Sequence, residues 1–166
     1  MFRKMRRHRQ ALTFEQCEKI FQEGTSGVLA VNGDSGYPYA VPLSYVYSSG
    51  KIYFHCAKSG HKLDAVKADP RVSFCVIAKD EIVPEEYTTY FRSVIAFGKV
   101  TILEEPQAMR AAAEMLARKY APEAGAKHRQ AAIDREFAAL CIMEMEIEHM
   151  SGKEAIELVR KSDGKQ

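Results

Sequence analysis

The side chains best suited to bind an anion lie in residues 57–62, whose sequence is Ala-Lys-Ser-Gly-His-Lys. This small, cationic segment precedes a short helical pattern that ends at Asp69-Pro70. A turn leading into a helix offers free backbone N–H groups and the positive end of the helix dipole. With His61 and Lys62 beside those amides, the segment predicts a phosphate-binding site, although a solvated surface loop has a similar composition.

A hairpin with an internal proline precedes this turn. Residues 39–47 and 52–55 have strand composition, and residues 48–51 between them turn readily, which predicts a β-hairpin. A proline has no N–H to donate to a sheet. Pro42 therefore indicates an edge, a bulge or a place where the backbone faces a ligand.

The elements that position these groups predict an antiparallel barrel. Runs with strand composition cover residues 27–31, 39–47, 52–55, 72–78, 87–97, 99–103 and 140–147. Helical patterns cover residues 14–23, 63–68, 106–120 and 127–137. Because only closure removes the exposed edges of such a sheet, we expect a barrel with helices packed outside it.

Local signals add detail to this outline. Thr13 and Gln16 have the spacing of a capping box, which predicts a helix start. The apolar face of that helix would contain Phe14, Cys17, Ile20 and Phe21. Pro84 and its acidic neighbours predict a loop over residues 79–86, and Gly98 predicts a bulge or bend between two strands.

The composition indicates one domain, residues 1–166, since 166 residues with 46% hydrophobic content can enclose a core. A net charge of +2 provides no overall basic field, so no nucleic-acid partner is expected. A basic arm over residues 1–10 and a polar tail over residues 154–166 are expected to be loosely held.

The cysteines and the hydropathy predict a cytoplasmic protein without a membrane partner. No run of apolar residues approaches the length of a membrane span, and no secretory signal follows the basic residues. The four cysteines form no C-x-x-C pair, which favours reduced thiols and no metal site. Cys17, Cys75 and Cys141 are predicted in the core, whereas Cys56 lies in the predicted site.

Four ordered motifs carry a resemblance to a known family. They are VPLSYVY at residues 41–47, IYFHCAKSGHKLD at 52–64, DPRVSF at 69–74 and YFRSVIAFGKV at 90–100. The chain resembles the flavin-binding split-barrel family of pyridoxamine 5'-phosphate oxidase, and more closely its 5-nitroimidazole-resistance branch. The resemblance implies an α+β fold that is mainly β: an antiparallel six- to seven-stranded split barrel with peripheral helices.

The resemblance also implies which residues bind the cofactor, FMN. The first wall of its pocket would consist of Val41, Pro42, Leu43 and Ser44, acting chiefly through the backbone. Its continuation would consist of His55, Cys56 and Ala57, with His61 and Lys62 at the phosphate. Arg92, Ser93 and Val94 match a strand that the second subunit usually supplies, which implies a homodimer with two cofactor sites at its interface.

His55 is the one candidate catalytic residue. Its imidazole could donate to a flavin carbonyl, move a proton or ligate haem iron, or it could be an ordinary hydrogen-bonded histidine. A zinc site with Cys56 is disfavoured because adjacent strand residues point to opposite faces. Cys56 could be a redox thiol or a small buried residue, and Arg92 could bind an anion or form a cross-strand ion pair.

The family pattern is not complete in this chain. The oxidases that act on the vitamin phosphate typically carry an Arg-Lys pair where this chain has His61-Lys62, and this chain has no Trp for their C-terminal substrate grip. These departures argue against pyridoxamine phosphate oxidation. The expected function is an FMN-dependent oxidoreductase that reduces a small nitroaromatic-like acceptor with electrons from a nicotinamide or another donor. The alternative is a flavin or haem carrier or sensor.

Overall fold

Seven antiparallel strands form one sheet in the order β2-β1-β5-β6-β7-β4-β3. A computed structural model describes the backbone of residues 1–163 and the side chains of residues 1–161. The strands are β1 (Ser26–Asn32), β2 (Pro38–Ser44), β3 (Val46–Ser48), β4 (Lys51–Ala57), β5 (Arg71–Val83), β6 (Thr88–Ile102) and β7 (Leu140–Glu154). The helices are α1 (Phe14–Glu23), α2 (His61–Ala68), α3 (Pro106–Tyr120), α4 (Ala126–Glu136) and α5 (Ile156–Asp163). The predicted α+β class with a six- to seven-stranded split barrel is confirmed, and the number of strands is seven.

The core fills the inside of the curved sheet and is closed by α1. Phe74 lies at its centre, where its ring meets Phe54 and Tyr45 edge to face at centroid distances of 5.0 and 4.9 Å. Phe21 of α1 is fully buried beside them. The capping box predicted at Thr13 is present. Phe14, however, is 60% exposed, because only the later turns of α1 lie over the sheet.

The loop predicted over residues 79–86 is wrong. β5 continues to Val83 and pairs with the start of β6, with Ile82 opposite Thr89 and Val83 opposite Thr88. β-branched residues on both strands favour this extension. The acidic residues and the proline in this segment instead predict a loop. The Pro84–Glu86 turn and Tyr87 connect the two strands.

The bulge predicted at Gly98 is confirmed. The register between β6 and β7 shifts between Phe97 and Gly98. A Cβ atom on Gly98 would lie 2.0 Å from the carbonyl oxygen of Glu146, so only glycine lets the two backbones approach this closely.

β7 is longer than the predicted strand over residues 140–147. Its second half pairs with the first half of β6, from Phe97 opposite His149 to Arg92 opposite Glu154. The inward position Gly152 has no side chain of its own, and Leu12 and Cys17 pack against it. The apolar periodicity of the sequence does not predict this half of the strand, because its inward position is a glycine. The apolar side chains that pack there belong to α1 and the residues before it.

Part of each predicted loose terminus is tied to the sheet. Gln10 and Glu154 are both buried, and the Gln10 amide donates to the Glu154 carbonyl oxygen at 3.0 Å. Leu12 N–H donates to the Gly152 carbonyl oxygen at 3.0 Å. Residue 154 therefore ends a strand, and α5 follows it; residues 164–166 of the predicted tail lie outside the described residues.

Candidate functional site

An open seam between β2 and β4 contains most of the predicted site residues. β2 is an edge strand that pairs with β1. β3 pairs with β4 only through residues 51–53, so within the described chain residues 54–57 lack a strand partner on that side. The predicted hairpin strand 39–47 is thus divided at Tyr45, with β2 and β3 pairing with different neighbours.

Tyr120 at the end of α3 holds this division in place. Its hydroxyl accepts from the Tyr45 amide at 2.8 Å and lies 2.9 Å from the Tyr45 carbonyl oxygen, with the Thr25 carbonyl as another acceptor. Sequence reasoning missed Tyr120, since nothing local connects it with residues 75 positions earlier.

The turn at one end of the seam has the geometry of an anion site. Gly60 precedes α2 with φ 133°, a conformation that favours glycine, and no side chain caps the helix. The amides of Leu63 and Asp64 donate to the Gly60 carbonyl oxygen. The amides of His61 and Lys62 are therefore the first-turn donors left for a ligand, next to the half-buried Lys62 side chain.

The His61 side chain is directed back toward β2. Its ring stacks on Tyr39 with 4.2 Å between centroids and 18° between planes, and its Nε2 lies 3.6 Å from an oxygen of Asp34. The amide of His61, rather than its imidazole, therefore belongs to the anion site.

Residues of β2 alternate between the core and the seam. Val41 and Leu43 pack against the core, while Pro42 and Ser44 are exposed. Val41 and Leu43 would thus contact a ligand in the seam chiefly through their backbone atoms, as the resemblance implies.

His55 and Ser44 lie on one side of a cavity of about 290 Å³ at the other end of the seam, below helices α3 and α4. Within the described part of the chain, neither the imidazole nor the hydroxyl makes a hydrogen bond. Two polar side chains are therefore available at this end to a molecule in the cavity.

Cys56 faces away from this cavity and lies directly opposite Cys141 on β7. Burial, followed by the nearby Cys141 thiol, raises the pKa of Cys56 to about 12. The thiol is therefore protonated at neutral pH and poorly nucleophilic. The sequence alone does not show that Cys141 lies near Cys56, because the two residues are far apart in the chain and meet only through the pairing of β4 with β7. Cys75, predicted in the core, is only half-buried, on the outer face of the sheet.

The residues predicted on β6 are not at the seam of their own chain. β6 is separated from β4 by β7, and from β2 by β5 and β1. Arg92 forms the cross-strand ion pair, donating to Glu154 from Nε at 2.9 Å and from a terminal nitrogen at 2.6 Å. The Val94 side chain is fully buried within its own chain, and Ser93 lies half-buried beside it.

No helix among the described residues is long and apolar enough to cross a membrane. Within the same part of the chain, no three His, Cys, Asp or Glu side chains are grouped so that they could hold a metal ion.

Comparisons with known proteins agree with this architecture. The family model described as pyridoxamine 5'-phosphate oxidase matches residues 13–154. A comparison with curated protein sequences finds no match.

Three solved structures share the fold. A protein proposed to act in 5-nitroimidazole antibiotic resistance in Bacteroides thetaiotaomicron is 19% identical with a TM-score of 0.72, and the match covers 86% of this chain and 85% of that one. An FAD-binding protein from Mesorhizobium loti is 27% identical with a TM-score of 0.66, covering 88% and 97%. An FAD- and haem-binding protein from Mycobacterium smegmatis is 18% identical with a TM-score of 0.70, covering 89% and 73%. Since the family model spans most of the chain, this protein belongs to the pyridoxamine 5'-phosphate oxidase family.

Proposed function

We propose that the protein binds FMN along the seam between β2 and β4 and acts as an oxidoreductase on a small electron-poor acceptor. The observation that carries the proposal is the uncapped start of α2 beside Lys62, with an apolar cavity at the other end of the same seam. A phosphate suits the first end, because two unbonded backbone amides and the Lys62 side chain belong to the same first turn of α2. A flavin ring suits the exposed strand backbone between the two ends.

The chain's own residues would bind and orient the cofactor. Lys62 and the amides of residues 61 and 62 would hold the phosphate, and the backbone from Val41 to Ser44 would lie along the ring. The His55 imidazole would donate a hydrogen bond or a proton at the cavity end. The bound flavin supplies the electron-transfer chemistry, taking electrons from a reduced nicotinamide or another donor.

Nitroaromatic molecules are the acceptor class we propose. The support is the resemblance to the nitroimidazole-resistance branch, together with the fold shared with the Bacteroides protein. Pyridoxamine phosphate oxidation is not proposed, because His61 replaces the usual arginine and is engaged by Tyr39.

We further propose a homodimer that forms through the outer face of the sheet. Val28, Cys75 and Ile95 lie side by side on neighbouring strands of this face, and Val28 and Ile95 are 39% and 38% exposed. Such a contiguous apolar face favours burial against a second copy, and a two-fold contact would bring β6 of each subunit toward the other's seam.

Molar mass by light scattering tests the dimer. Ile95→Glu should give a monomer with weaker FMN binding, whereas Ile82→Glu, at a residue 76% exposed on the β5–β6 extension, should leave the dimer intact. A wild-type monomer at micromolar concentration would contradict the assembly.

The decisive experiment on function is cofactor identification followed by turnover. The purified protein should carry or take up FMN in preference to riboflavin, and NADH or NADPH should bleach the flavin absorption. A nitroimidazole should then restore it. A chain that binds FMN but is neither reduced by a donor nor reoxidised by the acceptor would be a carrier or sensor instead.

The alternative of haem binding follows from the Mycobacterium smegmatis protein and from the unpaired His55. A Soret band after haem addition, lost in His55→Ala, would support it. FAD titrated in parallel decides which flavin is preferred.

A further inference from the structure

The cavity at the His55 end of the seam is formed mainly by small and aliphatic side chains of two helices. Those that line it are Ala113, Leu116 and Ala117 of α3 and Ala132 and Ile133 of α4. Because three of these five residues are alanines, the helices leave room above β2 and β4 that larger side chains would fill. The resulting space, about 290 Å³, has a largely apolar wall.

Ionic contacts hold the two helices together above this space. The Arg129 guanidinium of α4 donates to Glu114 of α3 at 2.9 Å, and Arg110 of α3 pairs with Asp134 of α4. Arg110 also lies 4.2 Å from the centroid of Phe137. At the other end, the Tyr120 hydroxyl fixes α3 to the Tyr45 backbone. The Tyr120 contact is thus the one among these that ties the helix pair to the seam.

The polar groups of the cavity suit an uncharged ligand. Ser44 and His55 lie on the seam side and have no hydrogen-bond partner in the described chain. Both can donate to an oxygen of a ligand. The charged lining residue is Glu136, which Arg135 approaches at 3.0 Å, and no Lys or Arg is among the described residues of the lining. An anion would leave water without gaining a lining cation, which is unfavourable.

We propose that this cavity is the acceptor subsite, and that it takes uncharged, mainly apolar molecules of one or two rings that present an oxygen to Ser44 and His55. This inference rests on the proposed flavin function, since the cavity adjoins the same seam. Its volume is near the lower end of the range of about 300–1,000 Å³ for ligand pockets, which favours a molecule smaller than the flavin itself.

Cavity-filling variants with matched controls test the subsite. Ala117→Leu and Ala132→Leu put a larger side chain into the cavity, while Ala111→Leu and Ala131→Leu add the same atoms at exposed positions of the same helices. Binding of nitrobenzene and of 4-nitrobenzoate is measured directly by isothermal titration calorimetry. FMN affinity is measured separately for every variant.

We expect the two filling variants to weaken nitrobenzene binding about tenfold, because the added leucine atoms leave too little space for the ligand without overpacking. The FMN affinity of these variants and the nitrobenzene affinity of both controls should stay near the wild-type values. Nitrobenzene should bind more tightly than 4-nitrobenzoate. Glu136→Gln removes a negative charge from the lining and should therefore reduce the difference between the two affinities. Thermal melts establish folding. If a filling variant does not fold, Ser44→Ala replaces it as the test. This variant should weaken the binding of nitrobenzene, whose oxygens can accept from the hydroxyl, but not the binding of toluene, which has no oxygen.

The outcomes separate this inference from the proposed function. If FMN binds and is reduced but nitrobenzene binding is the same in filled and control variants, or in Ser44→Ala, the subsite is refuted and the flavin function stands. If FMN does not bind at all, the acceptor role fails together with the flavin function, even where nitrobenzene still enters the cavity.

Discussion

The imidazole of His61 stacks on the ring of Tyr39, joining the first residue of α2 to the edge strand β2. This contact spans the seam, because Tyr39 belongs to the strand that would lie along the flavin ring and His61 to the turn that would hold the phosphate. We infer that His61 is a positioning residue, which keeps its own amide and that of Lys62 oriented toward the seam.

His61→Ala should therefore act on stability more than on phosphate affinity. Loss of the stacked pair is expected to lower the free energy of unfolding by about 0.5–1.5 kcal/mol, measured by urea denaturation. Tyr39→Leu should have a similar effect, while Tyr37→Leu, at a residue 76% exposed, should have little. A loss of FMN affinity as large as that of Lys62→Ala would mean that the ring itself binds the phosphate.

Lys62→Ala should weaken FMN binding by about 1.5–3 kcal/mol, the range for a hydrogen bond to a charged group. Riboflavin, which lacks the phosphate, should bind the variant and the wild type equally well. Lys67→Ala, in the last turn of the same helix, is the matched control and should leave both affinities unchanged. Flavin fluorescence quenching measures the affinities of the three proteins for both flavins. Equal losses for FMN and riboflavin would show that Lys62 does not contact the phosphate.

Glu154→Gln should destabilise the fold by about 1–2 kcal/mol, because it leaves the Arg92 guanidinium without its carboxylate partner. The Arg92 side chain is 41% exposed, and solvent therefore reduces the cost below that of a fully buried pair. Glu148→Gln breaks the exposed pair with Lys99 and should cost less than about 0.5 kcal/mol. Chemical denaturation compares the two; equal effects would contradict a structural role for Arg92.

Tyr47 should make the fold sensitive to alkaline pH. Burial, followed by its hydrogen bond to Glu18, raises the pKa of Tyr47 from 10.0 to about 12. The folded state thus favours the protonated phenol. Its stabilising contribution is complete below pH 10 and is lost as the pH rises from 10 to about 12.

Tyr47→Phe should flatten this part of the dependence of unfolding free energy on pH, and Tyr87→Phe, at a fully exposed residue, should not. The hydroxyl titration can be followed by tyrosinate absorption. An unchanged pH profile in Tyr47→Phe would show that another group carries the alkaline transition.

Features determined by neighbouring residues could be predicted from the sequence. The capping box at Thr13, the turn before α2 and the bulge at Gly98 depend on residue types within a few positions. Features determined by distant pairing could not. The extension of β5 to Val83 and the opposition of Cys56 and Cys141 depend on which strands meet and in what register.

The candidate site follows the same division. The turn before α2, where we propose that the phosphate binds, is local and could be predicted from its composition, whereas the cavity requires α3 and α4 to fold back over the seam. The motif around Arg92 identifies the residue but does not predict its ion pair, because the partner Glu154 lies 62 positions away in the sequence. The pairing of β6 with β7 decides what the guanidinium does in its own chain.

The hydrogen bonds that join Gln10 and Leu12 to the end of β7 have a consequence for local opening. The amide of Leu12 is protected from exchange with solvent only while Gly152 holds its place, and the amide of Ala155, just after β7, donates to the Phe91 carbonyl oxygen of β6. These two amides, more than 140 residues apart in sequence, should exchange their hydrogens as one cooperative unit. Fraying of either end of the chain would then expose the other.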